Sequence, residues 1–238
     1  MRKNKVITYT RQWAIGIVSF ARSKDETRYY NLAGFNLEPD DTLEADGVRR
    51  RGRIVATDGH RLAWQGYPPF PPDGKRGLID EHFNPLEGEF PDYKCCLPGK
   101  PKIAFYVCRG NQDWLPALKT IARIIERPFG TLECDGEHVS VKLESHSPTM
   151  KVSLAIPING GNPKPFKIGI NLWFLFEAIN AAVKSNGVGT WFVRVSIVDE
   201  LTAIAIDNDA TSFYSITMPC RADGAFCWKP ELEKAEAA

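Results

Sequence analysis

Apolar residues recur at helical spacing in three stretches of the chain. Each stretch is preceded by one strand-like segment and followed by three. The third copy is the plainest: Lys167–Ile170 reads as a strand and Asn171 as a helix N-cap. Leu172, Leu175, Phe176, Ile179 and Val183 then share one face of a helix to about Lys184, and Gly187 and Gly189 stop it. Strands are expected at Trp191–Val198, Thr202–Ile206 and Ser212–Met218, which are rich in β-branched and aromatic residues.

The second copy starts at Lys102–Val107, and its helix runs from about Gln112 to Arg127 with Trp114, Leu118, Ile121 and Ile125 as the buried stripe. Pro116 fits an early-turn position, and strands follow near Thr131–Cys134, His138–Glu144 and Lys151–Ile156. The first copy starts at Lys5–Tyr9, with a helix from about Arg11 to Arg22 that presents Trp13, Ile17, Phe20 and Ala21. Its strands fall near Tyr29–Leu37, Arg53–Thr57 and Arg61–Gln65, the last two forming a hairpin around Asp58-Gly59. The expected fold is α+β: repeated β-α-β-β-β modules, with helices packed on antiparallel sheets.

Four segments follow from this pattern. Residues 1–66 form a single module, and residues 67–100, which hold seven of the seventeen prolines, form a connection. Residues 101–221 form a complete two-module domain whose halves are joined by an Asn159–Pro165 loop, and 222–238 is a tail. A lone first module leaves its helix without a partner. Tyr67, Phe70, Leu78, Ile79 and Phe83 of the connection, or a second copy of the chain, would then cover Trp13, Ile17 and Phe20.

Composition narrows the function classes. With 238 residues, 43% hydrophobic and 25% charged, the chain is an ordinary globular one, and no apolar run reaches the ~20 residues that span a bilayer. No secretory leader is apparent, so the expected location is cytoplasmic, without membrane attachment. The net charge of +1 hides local patches: residues 1–24 carry six bases and no acid, 38–46 five acids, and 49–53 four arginines. The six cysteines show no CxxC spacing and the four histidines are scattered, so no metal site and no cofactor is expected.

Lys119, Arg123 and Arg127 are four apart and line one face of the second helix, away from its apolar stripe. Arg11 and Arg22 share a side of the first, and Lys184 ends the third. Such faces suit a phosphate backbone, and equally suit plain solubility and helix-dipole complementation. Asp58 and His60 flank a tight turn with no nucleophile or metal set beside them, which argues against an enzyme.

One segment is more specific. Val55-Ala-Thr-Asp-Gly-His-Arg-Leu-Ala63 resembles the signature of the bacterial sliding clamp, the beta subunit of DNA polymerase III. Arg28-Tyr29-Tyr30 with Gly34-Phe35, Phe90-Pro91-Asp92-Tyr93 with Leu97-Pro98, Lys167-Ile168-Gly169-Ile170-Asn171, and Met218-Pro219-Cys220-Arg221 resemble further clamp segments in the family's order. The resemblance covers about residues 5–221 and implies the DNA-clamp fold in a shortened form, with three modules where the family has six. It implies a processivity factor for DNA replication that binds duplex DNA without sequence preference and makes or breaks no bond. Its partners would be DNA polymerase and other proteins carrying a clamp-binding motif, and it would work as a homo-oligomer.

Carried over residue by residue, a peptide-binding groove would use Thr57, Gly59, His60, Arg61, Leu62, Pro98, Ile216, Met218, Pro219 and Arg221. Leu62, Pro98, Ile216 and Met218 would take a Leu or Phe side chain, while His60 and Arg61 would bond polar groups at the rim. Read without the resemblance, Thr57 to His60 is a hairpin turn bonding its own backbone. DNA would meet Arg11, Arg22, Lys119, Arg123, Arg127 and Lys184. The alternative function is a half-clamp that ignores DNA and competes for clamp partners. Phe226 or Trp228 of the tail could also fold back into the groove and block it.

Overall fold

Asn171 starts the longest helix among the described residues as its side chain predicts: Oδ1 accepts from the backbone N–H of Trp173 at 2.9 Å and of Phe174 at 3.3 Å. This is seen in a computed structural model that describes residues 11–23, 31–43, 50–67, 77–108, 114–124, 128–146, 149–161, 163–186, 192–199 and 201–220. Helix α1 covers residues 11–18 and tightens into a 3-10 turn, Ser19–Ala21. Helix α2 is Trp114–Ile124 and α3 is Leu172–Ser185.

The strands come in three groups. Those after α1 are β1 (Phe35–Leu43), β2 (Arg50–Thr57) and β3 (Arg61–Tyr67), with the short β4 (Gly77–Ile79) behind them. Strand β5 (Ile103–Cys108) leads into α2, followed by β6 (Phe129–Cys134), β7 (Val139–His146), β8 (Thr149–Ile156) and β9 (Ile158–Gly161). Strand β10 (Phe166–Asn171) leads into α3, followed by β11 (Phe192–Ile197), β12 (Ile204–Asn208) and β13 (Phe213–Thr217).

The second and third modules exchange their leading strands. Strand β5 pairs with β11 of the third module, and β10 pairs with β6 of the second, all antiparallel. One sheet is therefore β10-β6-β7-β8, and the other runs β4-β1-β2-β3-β13-β12-β11-β5-β9. The exchange ties the two modules together, because neither sheet is complete without a strand from the other. The first module joins edge to edge, β3 on β13, with Leu62 opposite Ile216.

Strand β4 takes the place beside β1 that β5 takes beside β11. Part of the proline-rich connection thus supplies the strand that a second module supplies elsewhere. Tyr67, Leu78 and Ile79 are buried, and Phe83 packs against the same core as Ala14, Ile15, Ile17, Val18 and Ala21 of the first helical segment. The connection reaches that helix through Arg11, which lies over Tyr67 and Phe83, and Arg22, which pairs with Glu81. Phe83 sits at φ 67°, in a turn held by Asp80 Oδ1, which accepts from the N–H of His82 and of Asn84 at 2.8 Å each.

Several boundaries differ from expectation. Strand β1 starts at Phe35, later than the expected Tyr29; Lys5–Tyr9, Ile125 and Phe70 lie outside the described residues. Ile158–Gly161, which overlaps the start of the expected Asn159–Pro165 loop, adds an edge strand to β5, with Gly161 at φ 100° and no room for a side chain against the Ala104 carbonyl. Trp13, expected on the buried stripe, is 38% exposed, because the helix turns Ala14, Ile17 and Val18 to the sheet instead. No described helix is long and apolar enough to cross a membrane.

The helix-side core is large. Trp114 and Leu118 of α2 are 1% and 0% exposed, and each such burial is worth about 1.5–3 kcal/mol. Trp114 Nε1–H donates to the Cys108 carbonyl at 2.8 Å, so its polar atom is satisfied. Gly169 marks a second tight approach: its carbonyl accepts from the Cys220 N–H at 3.0 Å, and a Cβ there would lie 2.3 Å from the Cys220 oxygen. Gly169→Ala should therefore cost about 1–3 kcal/mol, read as a lower urea midpoint with an unchanged slope.

Glu133 lies between Lys142 Nζ at 2.6 Å and Lys167 Nζ at 3.0 Å. Burial pushes its carboxyl up, but bonds from Lys142, Lys167 and Thr131 outweigh that and hold it at about 2. Its folded pKa is below the unfolded value, so its stabilisation is present above about 4.5 and is lost as pH falls towards 2. Both lysines are well exposed and screened, so the contribution is below about 1 kcal/mol. Glu133→Gln should shrink the drop in urea midpoint between pH 7 and pH 3, with little change at neutral pH.

Candidate partner-binding cleft

The β2–β3 hairpin builds one wall of a cleft. Thr57 Oγ1–H donates to the Arg61 carbonyl at 2.7 Å and accepts from the Gly59 N–H at 3.2 Å. Asp58 Oδ1 accepts from the N–H groups of His60 at 2.9 Å and Arg61 at 3.0 Å. Gly59 takes φ 87°, which a glycine adopts without strain. His60 is thereby held out at the tip, and its carbonyl accepts from the Met218 N–H at 3.0 Å.

Arg61 points back into the protein. Its Nε donates to Asp58 at 2.9 Å, its Nη1 to Glu177 of α3, and its guanidinium lies 5.3 Å from the Phe20 ring centroid and 4.2 Å from that of Phe174. One side chain thus joins the hairpin, the first helical segment and α3.

The opposite wall is the last part of the proline-rich connection, which crosses the sheet face that carries no helix. Tyr93 is buried there with Val55, Leu62, Ala205 and Ile216, and Trp64, Phe90, Leu97 and Tyr214 pack around them. Trp64 and Tyr214 stack across β3 and β13 with centroids 4.2 Å apart. The Tyr93 hydroxyl donates to Glu38, whose carboxylate also accepts from Arg53 Nε at 2.5 Å. Burial pushes the Tyr214 phenol up to about 12, so it stays neutral across physiological pH.

Between these walls lies a cleft of about 430 Å3. Thr57, Gly59, His60, Arg61, Leu62, Ile216 and Met218 line it, as do Leu32, Pro91, Asp92, Tyr93 and Cys96. Leu62 and Ile216 are buried in its floor, whereas Met218 is 42% exposed at its mouth. The arrangement can take an apolar side chain and offer polar atoms at the rim; among the described residues no His, Cys, Asp and Glu cluster could hold a metal ion.

Solved bacterial clamps share this architecture. The beta sliding clamp of Caulobacter crescentus matches with a TM-score of 0.74 at 18% identity, over 90% of this chain and 64% of that one. The DNA polymerase III subunit beta of Pseudomonas aeruginosa matches at 0.72 and 17%, over 91% and 65%. The chain has the sliding-clamp fold. It spans about 64% of the length of the Caulobacter protein. No protein-family model and no curated protein matches the sequence.

Within the clamp fold, the residues grouped by sequence do not all meet. Pro98 and Pro219 are half-buried and do not line the cleft, and Arg221 lies outside the described residues. Leu32, Pro91, Asp92, Tyr93 and Cys96 line the cleft without belonging to the groove read from the sequence. Phe90-Pro91-Asp92-Tyr93 had been matched to the clamp pattern without being carried into the groove, whereas nothing marked Leu32.

The basic residues also part company. Arg11 packs its guanidinium on the rings of Tyr67 and Phe83, at 5.8 and 5.9 Å from their centroids, with Nε buried. Arg22 lies over Phe35 at 5.4 Å and pairs with Glu81 at 3.4 Å. The connection brings Phe83 and Glu81 to them: Arg11 is turned into these contacts with its Nε buried, whereas the Arg22 side chain stays 32% exposed in a surface pair. Lys119 and Arg123 of α2 lie over Phe176 and Trp173 of α3, at 5.8 and 5.3 Å, and Arg123 remains exposed. Lys184 is exposed at the end of α3, and Arg127 lies outside the described residues.

Proposed function

We propose that the chain is a non-catalytic, clamp-like scaffold of the cytoplasm whose cleft takes a short partner peptide. The observation that carries this is the cleft: seven residues carried over from the clamp pattern gather around one apolar floor at the β3–β13 junction. A Leu or Phe anchor fits Leu62, Ile216 and Met218, with His60 at the rim bonding the peptide's polar groups. Polymerases and other proteins with a clamp-binding motif are the partners this chemistry suits.

The DNA half of the reading rests on fewer residues. Lys119 and Arg123 on α2 and Lys184 at the end of α3 are the described basic residues available to attract phosphate, and binding would be salt-sensitive and blind to sequence. Several copies would have to assemble to enclose a duplex. A half-clamp that binds partners without DNA is the second reading, favoured by the engagement of Arg11 and Arg22 within the chain.

Multi-angle light scattering with and without a short duplex, at two salt concentrations, separates them. A clamp gives an oligomer that retains DNA at low salt and releases it at high salt. A species that ignores DNA at both, yet takes a labelled peptide with Leu and Phe anchors, selects the half-clamp. Failure to take that peptide would sink the proposal.

A further inference from the structure

Cys95 and Cys96 are neighbours in the chain, both exposed, and close a 3-10 turn, Tyr93–Cys96, on the cleft wall. Their sulfurs lie 3.8 Å apart, and Cys95 Sγ–H donates to the Asp92 carbonyl at 3.1 Å. Cys96 lines the cleft and Cys95 does not. The turn also carries Tyr93 and is capped by Asp92, which accepts from the Lys94 N–H at 3.2 Å. Anything that reshapes this turn therefore moves three cleft residues together.

The other described thiols are less available. Cys134 is buried, Cys108 is partly so, and burial pushes the Cys220 thiol up to about 11. Cys95 is exposed outside the cleft, where an oxidant reaches it directly, and Cys96 faces into the cleft wall beside it, which makes Cys95 the attacking sulfur.

We propose that Cys95 and Cys96 form a dithiol modification site on the cleft wall that takes two-electron oxidants of the hydroperoxide class. The Cys95 thiol gives up its proton and the thiolate attacks one peroxide oxygen; the O–O bond breaks, Cys95 becomes a sulfenic acid, and the departing oxygen takes up that proton and leaves as water from hydrogen peroxide or as the alcohol from an alkyl hydroperoxide. The Cys96 sulfur then displaces the sulfenic hydroxyl, the S–S bond forms, and the Cys96 proton leaves with that hydroxyl as water. Two thiols are oxidised by two electrons in all, and one hydroperoxide is reduced.

The product demands a change of shape. Consecutive Cα atoms sit ~3.8 Å apart, below the ~4.4–6.8 Å that disulfides ordinarily span. The turn must therefore deform, and the strained bond is readily reversed by thiol reductants. In deforming, the turn loses the Leu97 N–H bond to the Lys94 carbonyl and shifts Cys96 and Tyr93 at the cleft wall. The consequence for partner binding rests on the proposed peptide cleft; the thiol chemistry does not.

The test treats the full chain with hydrogen peroxide and reads it by mass spectrometry and by affinity for the labelled peptide. The expected result is loss of two hydrogen atoms from the fragment carrying Cys95 and Cys96, reversed by dithiothreitol, with peptide affinity falling on the order of tenfold, the scale of one lost hot-spot contact. Cys95→Ser should bind like the reduced wild type and lose the response. Added oxygen atoms at either cysteine, or disulfides only at other cysteines, would overturn the site. A disulfide that leaves affinity unchanged would overturn its control of the cleft. If the reduced protein takes no peptide at all, the cleft reading falls while the mass result still decides the thiol site.

Discussion

Arg61→Ala should lower stability by about 3–5 kcal/mol, the usual loss when one member of a buried, hydrogen-bonded charge set is removed. For a chain of this size that is a drop in melting temperature on the order of 10 °C. The Arg61 side chain is 10% exposed, and its removal strands Asp58 and Glu177, at 16% and 21%, without their shared cation. It also takes the guanidinium off the Phe20 and Phe174 rings. Lysine at 61 keeps the charge but loses the forked contact, so Arg61→Lys should fall between alanine and wild type. Urea denaturation measures both, and a wild-type midpoint for Arg61→Ala would mean that the hairpin is held to α3 by something else.

Met218→Ala should do the opposite: little to stability and much to binding. Met218 is 42% exposed at the mouth of the cleft, so the folded state loses little by its truncation, within about 0.5 kcal/mol. A peptide anchor seated on Ile216 and Leu62 would lose its cover, and affinity should fall on the order of tenfold. Fluorescence anisotropy with a labelled Leu- and Phe-bearing peptide reads the loss, and circular dichroism melts confirm the intact fold. Wild-type affinity in Met218→Ala would place the anchor elsewhere.

Periodicity located all three helical stretches because each buries one stripe; Leu172, Leu175 and Ile179 are 0–1% exposed, as their spacing requires. The hairpin was equally plain, since Asp58-Gly59 leaves the chain few alternatives. The exchange of β5 and β10 between modules was not legible, because no local signal says which neighbour a strand will pair with. Nor was β4: Gly77–Ile79 is three residues long and is recruited by the free edge of β1. Aromatic bulk at helical spacing reads as core, yet it is Ala14, Ile17 and Val18 that the fold buries while Trp13 stays 38% exposed.

The site was readable in halves. Thr57 to Leu62 and Ile216 to Met218 come together through the β3–β13 pairing, which brings distant sequence into one register. The wall formed by Pro91, Asp92, Tyr93 and Cys96 depends on the path of a connection that periodicity cannot trace. Charge counting does not show that Arg11 and Arg22 lie over aromatic rings, since a guanidinium that can stack on a ring looks the same in sequence as one facing solvent. The tail from Arg221 onwards, with Phe226 and Trp228, lies outside the described residues.

Hydrogen exchange read by mass spectrometry, with and without the Leu- and Phe-bearing peptide, tests the central claim most directly. Peptide binding in the cleft should slow exchange in the hairpin turn at residues 57–61 and in the facing wall at 91–97, and leave β7 and β8 unchanged. Protection confined to other segments, or none at saturating peptide, would contradict a partner-binding cleft at this junction.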